Sequence, residues 1–434
     1  MSAFTQLLRD NRNYRYTWCG QLVSEVGDHF NNIAVLSLAM THHNPGLVVT
    51  GVFLARAVPM LAAGPIAGVL LDRVDRRRVM IASDLIRAVI AIGFLLCVNQ
   101  TSEWLLYALS AVLMFASPFF TSGRSSILPA IATPEELHTA NTMTQTTSWA
   151  SLTIGAFLGA VGTHFGYGIA FSFNSLSFII SALCISQLRH AGGFRVARKA
   201  GAVQTRALRS YADGLRYIRS TPLITGIMMV SVGWASGGGA AQILFSLFGE
   251  NVYHAGALGI GVIWGFAGVG LLIGGAIGYR LGRTLSFKAY KRTIAIVYVI
   301  HGGAYILFSQ MPTIALACVF IALSRAAVAV SSVMNFSQLL RHVEDRFRGR
   351  VFATLESLTW STMMISMMAA GAATIRFTPQ QIGAVAGVAS SLTAVFWLWA
   401  NMTGRLPEPP PQAVTEIEEK QQEADAVAAE PPLS

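Results

Sequence analysis

Charge is what this sequence has least of. Only 12% of its 434 residues are Asp, Glu, Lys or Arg, about half the share carried by an ordinary soluble domain, while 53% are hydrophobic. Such a chain is expected to live in lipid. Cysteine is scarce as well. Cys19, Cys97, Cys184 and Cys318 lie far apart inside apolar runs with no Cys-x-x-Cys spacing, which argues against a metal site or a disulfide framework and for small buried hydrophobes. There is no Walker loop, no dinucleotide glycine fingerprint, no His-Glu-x-x-His and no nucleophile elbow, so the sequence offers no enzyme, no catalytic residue and no cofactor. The first residues carry arginines without a short apolar core and a small-residue cleavage site, and no removable signal peptide is expected. The net charge of +10 is dealt out in short segments between apolar runs, which speaks against a nucleic-acid face.

Long apolar runs are what the chain has in abundance. Twelve are long enough to cross ~30 Å of hydrocarbon: 16–40, 47–71, 79–98, 104–122, 144–165, 168–188, 223–248, 257–281, 293–308, 313–336, 351–374 and 381–402. With the N-terminus placed in the cytoplasm, Arg376 is the sole Lys or Arg in the outward loops, so the positive-inside rule sets both termini inside. The fold expected is an all-α membrane protein of twelve transmembrane helices in two six-helix halves, 1–188 and 223–402. A basic cytoplasmic loop at 189–222, including the amphipathic stretch YADGLRYIRS, divides them. The tail, 403–434, is rich in Pro, Glu and Ala and is expected to be disordered and cytoplasmic. A weak repeat relates the halves, since Gln145 to Trp149 and Glu356 to Trp360 share their end residues or near equivalents at the same spacing.

One connection is unusually charged. Gly68 to Met80 reads GVLLDRVDRRRVM, with four arginines and two aspartates between two apolar runs. It resembles the loop between the second and third helices of the major facilitator superfamily, with Gly68, Asp72, Arg73, Arg76 and Arg77 on the matching positions and Asp75 where the signature has a second glycine. A second similarity, to the branch containing enterobactin exporters and macrolide efflux proteins, rests on Leu128-Pro129, Pro134-Glu135-Glu136-Leu137, Ala140-Asn141 and RFRGRVF at 346–352. Gly155-Ala156-Phe157 departs from the Gly-Pro pair that many antiporters of the superfamily carry in helix five. The resemblance implies a secondary transporter that works by alternating access: an exporter of amphipathic small molecules, drug- or siderophore-like, coupled to protons, monomeric, in a bacterial inner membrane. It also implies that Asp72 gates the inward side with Arg76, Arg77 and Arg124. Uptake of a metabolite, and a non-transporting sensor or scaffold with the same fold, are the alternatives.

Charged residues inside hydrocarbon are costly and generally face a protein interior or a watery cavity. Glu25, Asp28, His29 and Asn32 fall at i, i+3, i+4 and i+7 of the first run and form one polar stripe. Arg56 in the second run lies at a depth where it can meet Asp28, and Arg325 in the tenth is paired in expectation with Glu356 in the eleventh. An apolar cavity disfavours the charged form of a carboxylate, which makes Asp28, Glu25 and Glu356 candidate proton carriers. Asp28, His29, Asn32, Arg56, Trp234, Gln242 and Arg325 are candidate cavity residues. Asp84 and Arg87 are expected to brace the Asp72 loop. The glycines 237–239 suit a hinge or a close helix contact, and methionines 363, 364, 367 and 368 suit ordinary packing or a yielding apolar surface.

Overall fold

A computed structural model describes residues 3–99, 102–189, 194 and 207–409. Residues 190–193 and 195–206 of the central loop lie outside the described residues, as does the tail from 410 onward, for which disorder was expected. The described chain is all helical: α1 (Ala3–Asp10), α2 (Arg12–Met40), α3 (Pro45–Leu71), α4 (Arg76–Gly93), α5 (Trp104–Ile131), α6 (Pro134–Gly162), α7 (Tyr167–Ser186), α8 (Ala207–Ser220), α9 (Pro222–Leu247), α10 (Gly256–Thr284), α11 (Phe287–Gln310), α12 (Ile314–His342), α13 (Asp345–Ala373) and α14 (Pro379–Met402).

Twelve of these have 18 to 29 residues, and nine are long and apolar enough to cross a membrane. The three that fall short are α2, α6 and α13. Each carries a polar face, Glu25 to Asn32 on α2, the Thr and Ser run of α6, and Glu356 with its Ser and Thr neighbours on α13. That deficit in hydropathy is what an interior face produces.

Several helices run past the apolar runs. α6 begins ten residues before the expected start, because Thr133 and Glu136 form a capping box there. α5 continues to Ile131, so Arg124 stands inside a helix and not in a connection. α4 starts at Arg76 because Asp75 caps it, its carboxylate accepting from the Arg78 amide at 3.2 Å. Asp75 has φ −60°, so the turn does not require the glycine of the family signature. The amphipathic stretch is helical as expected and docks beneath α13, with Tyr217 stacked on Phe347 at 4.4 Å.

The packing repeats. In the first six long helices the tight pairs are α2 with α6, α2 with α7, α3 with α5, α4 with α5 and α4 with α7. In the last six they are α9 with α13, α9 with α14, α10 with α12, α11 with α12 and α11 with α14, the same five pairs shifted by six long helices. Across the middle, α6 meets α10 and α13 meets α3, again one contact made twice.

The hydrophobic core then divides by height. At the end holding the turns 41–44 and 374–378, one cluster runs through both groups of six, from Phe30, Val52 and Phe94 to Phe245, Ile321 and Met363. At the end holding α1 and Met402 the clusters are separate, one around Ile227, Tyr290 and Trp397 and two smaller ones around Tyr14 and Phe120. Gly64 and Gly68 of α3 and Gly349 of α13 meet nothing within 4 Å at that end, whereas Gly46 and Gly371 press on Thr374 and Thr50 at the other. The molecule is a cleft, closed at one end and parted at the other.

A polar layer at the apex of the cleft

The expected site residues gather at the height where the core divides. On α2 the shared cluster starts at Phe30, directly after Asp28 and His29. On α3 it reaches Val52 and Phe53, just before Arg56. On α12 Arg325 stands between Ile321 of the shared cluster and Ala327 of the separate one. Trp234 of α9 packs against both clusters, and Glu356 of α13 lies between Leu355 of one and Trp360 of the other. At 1.5 Å per residue, Asp28, Arg56 and Arg325 are all roughly 16–18 Å from the closed ends of their helices.

The stripe on α2 is intact, but its partners are not the expected ones. Glu25 accepts from Gln21 at 2.9 Å and is paired with Arg124 of α5 at 3.2 Å. Asp28 is paired with Arg87 of α4 at 3.8 Å, and Arg56 donates to Asn32. Arg87 also holds Asp84, and its guanidinium lies 4.3 Å from the Phe178 ring centre and 4.8 Å from that of Phe120. Arg87 and Asp84 are sealed, with side chains 3% and 0% exposed, while Asp28 keeps 25% and Glu25 23% open. The arrangement is three carboxylates and three arginines threaded across four helices, with two of the carboxylates reaching the cleft.

Four expectations change. Asp84 and Arg87 do not brace the Asp72 loop, because Arg87 lies ~16 Å up α4 from that loop. Arg124 does not meet Asp72, because α5 carries it inward to Glu25. Asp72 is exposed and has no side-chain partner among the described residues. Arg76 and Arg77 donate to the carbonyls of Ser126, at 2.6 Å, and Ser186, the ends of neighbouring helices. Finally, Arg325 and Glu356 do not pair: Glu356 is exposed, and Arg325 sits over the Phe245 ring at 5.2 Å. Gly68 and Arg73 lie exposed or open at the parted end.

Other residues fall as their helices direct. Gln242 and His29 are half-buried. The glycines 237 and 239 serve close packing, a Cβ at the first meeting the Ala386 carbonyl at 2.4 Å and at the second the Met363 carbonyl at 2.3 Å, and α9 runs through them unbroken. Met363 and Met367 are buried in the shared cluster, whereas Met368 is exposed. Residues the sequence did not single out are His301 and Tyr305, buried within electrostatic reach of Arg325, and Trp264, buried edge-on against the Phe245 ring that Arg325 covers. The available signal was one His in the otherwise apolar stretch IVYVIHGGAYIL.

Two six-helix groups with the same pairings, joined at one end over a polar layer, describe a transporter architecture, and the sequence profile of the Major Facilitator Superfamily matches residues 17–344. The chain belongs to the major facilitator superfamily. Members with named relatives include the enterobactin exporter EntS of Shigella boydii serotype 4 (strain Sb227), 25% identical over 383 residues, 85% of each chain. The MFS-type transporter YfiS of Bacillus subtilis (strain 168) is 27% identical over 374 residues, 84% of this chain and 87% of that one. The crystal structure of a bacterial homologue of the iron transporter ferroportin, in an inward-facing state, superposes with a TM-score of 0.65 at 17% identity, covering 89% of this chain and 98% of the other. This superfamily member is therefore an integral membrane transporter.

Proposed function

We propose that the chain is a twelve-helix secondary exporter of amphipathic small molecules, drug- or siderophore-like, coupled to protons and resident as a monomer in a bacterial inner membrane. Its two halves, 1–188 and 223–402, rock about the polar layer, and the parted end faces the cytoplasm. The observation that carries this reading is the coincidence of two levels: the core divides at the same height at which the buried charges lie. A cleft whose apex is charged gives water, protons and substrate a common site, and closing the parted end while opening the other carries them across. The direction of movement follows the exporters among its relatives, and the cytoplasmic side follows the positive loops.

Asp28 is the proton carrier in this scheme. It is partly open to the cleft, and it is held by Arg87 at a distance longer than a tight pair. Protonation would release Arg87 to Asp84 alone, so uptake of one proton changes the charge balance between α2 and α4. Glu25 is locked to Arg124 and Gln21 and serves as a second site.

The test starts from a strain stripped of its own exporters and screened with antibiotics, siderophores and detergents, which yields a transported compound. In proteoliposomes that compound should accumulate against its gradient when a pH difference is imposed. Asp28→Asn should abolish the accumulation and leave exchange at equal pH intact. Full gradient response in the Asn variant would move the coupling role to Glu25 or Glu356.

A further inference from the structure

Every buried arginine of the first six long helices has a partner: Arg87 has Asp84 and Asp28, Arg124 has Glu25, and Arg56 has Asn32. Arg325 breaks the pattern. It is 8% exposed, ~17 Å inside α12, and among the described residues it has neither a carboxylate within 4 Å nor a hydrogen-bond acceptor. Its companion is the face of Phe245. A cation–π contact returns less than taking the cation out of water costs, so the ring alone does not account for a charge at that depth.

The surroundings of Arg325 are rich in donors and poor in acceptors. The His301 Nδ1 lies 2.7 Å from the Ser324 Oγ, and Nε2 is buried without a partner; it is a donor when the serine hydroxyl donates to Nδ1 and an acceptor when Nδ1 donates to the serine. The Tyr305 hydroxyl and the Trp264 Nε1 are likewise buried and unpartnered. The rings adjoin one another around Phe245 and His301: His301 stands 6.4 Å from Tyr305, and Trp264 meets edge-on, at 5.1 Å, the Phe245 ring over which the guanidinium lies. Orphaned donors in hydrocarbon are expensive, and the Tyr305 hydroxyl and the Trp264 indole, together with one unpaired cation, call for the same missing group, an anion, which His301 can also serve once Nε2 carries its hydrogen.

We propose that Arg325, His301, Tyr305 and Trp264 form an anion-binding subsite that takes the carboxylate of an aromatic amphipathic substrate. Arg325 supplies the charge and a planar fork that matches a carboxylate, the neutral groups supply hydrogen bonds, and Phe245 supplies a surface for the ring. The inference rests on the transporter reading and narrows its substrate class to acids. Phe245, Tyr305 and Trp264 belong to the cluster shared by both groups of six, and Ala327, two residues past Arg325, belongs to the separate one, so the subsite straddles the level at which the core divides.

The test is equilibrium binding in detergent, with no gradient, so that its outcome is independent of proton coupling. The probes are 1-naphthoate and its uncharged isostere 1-naphthamide, read by the rise in unfolding temperature on titration. Naphthoate should stabilise the protein saturably and bind at least ten-fold tighter than the amide. Arg325→Gln should erase the difference between the two probes, Arg325→Lys should keep part of it, and Tyr305→Phe should weaken naphthoate about ten-fold with little effect on the amide. Equal binding of both probes, no binding of either, or a preference for naphthoate that survives Arg325→Gln would overturn the proposal. A protein that fails here and still accumulates a compound under a pH gradient retains the transport reading and loses this subsite.

Discussion

Arg87 of α4 touches three neighbouring helices, α2 through Asp28, α5 through Phe120 and α7 through Phe178. It joins α4 to α2 through Asp28, shields the fully buried Asp84, and is itself clamped between two rings. Removing one partner of a buried pair strands the other, at about 3–5 kcal/mol. Arg87→Gln is therefore expected to lower the unfolding temperature in detergent sharply, and the double variant Asp84→Asn with Arg87→Gln to recover more than half of the loss. A single variant as stable as the parent would contradict the network. The residues of α2 were legible in the sequence, because a helix places i, i+3, i+4 and i+7 on one face. Their partners were not. Which arginine meets Asp28 depends on which helices are neighbours, and neither spacing nor depth distinguishes Arg56 from Arg87. Arg124 was misplaced for a different reason: polar residues extend α5 beyond its apolar stretch, and hydropathy cannot see a helix that has left the hydrocarbon.

Among the elements, α10 has the most consequential surface. One line of its glycines faces α12 within its own half: a Cβ on Gly270 would meet the Ala322 carbonyl at 2.2 Å, and one on Gly274 the Ala326 carbonyl at 2.0 Å. These contacts bracket Arg325. Another line faces α6 across the cleft, where a Cβ on Gly261 would meet the Ala156 carbonyl at 2.6 Å and the Ala160 Cβ at 2.5 Å. Small residues let backbones approach closely, and a glycine face also leaves a smooth seam on which two bodies can move. The two lines predict different failures. Gly274→Ala forces α12 from α10 inside a packed half and should destabilise by about 1–3 kcal/mol, visible as a lower unfolding temperature. Gly261→Leu wedges the halves apart at the closed end and should leave the unfolding temperature nearly unchanged while making the turns 41–44 and 374–378 more reactive to aqueous thiol reagents at engineered cysteines. Equal destabilisation by both would mean that the α6 and α10 seam is a fixed joint. The sequence contained these glycines openly, but a glycine stripe states that a close approach exists without naming the helix on the other side.

At the scale of the whole molecule, one polar layer separates a closed end from a parted one, and the transport proposed above requires that the two exchange. The twelve long helices and the family were legible because long apolar runs, a charged second connection and the Leu-Pro and Ala-Asn signatures are local features of the chain. The cleft was not legible, since it depends on the contacts between α3 and α13 and between α6 and α10, which bring together residues about three hundred and about one hundred positions apart. The measurement that bears most directly on the account uses spin labels in a chain whose four cysteines are replaced. One pair, Gly68→Cys with Gly349→Cys, sits at the open end where neither position touches a neighbour. The other, His43→Cys with Phe377→Cys, sits on exposed residues at the closed end. Distances recorded by pulsed electron resonance across a pH series should reveal two populations, with the open-end pair shortening as the closed-end pair lengthens, and with Asp28→Asn held in one population at every pH. Distances that do not change with pH, or pairs that lengthen and shorten together, would contradict the account.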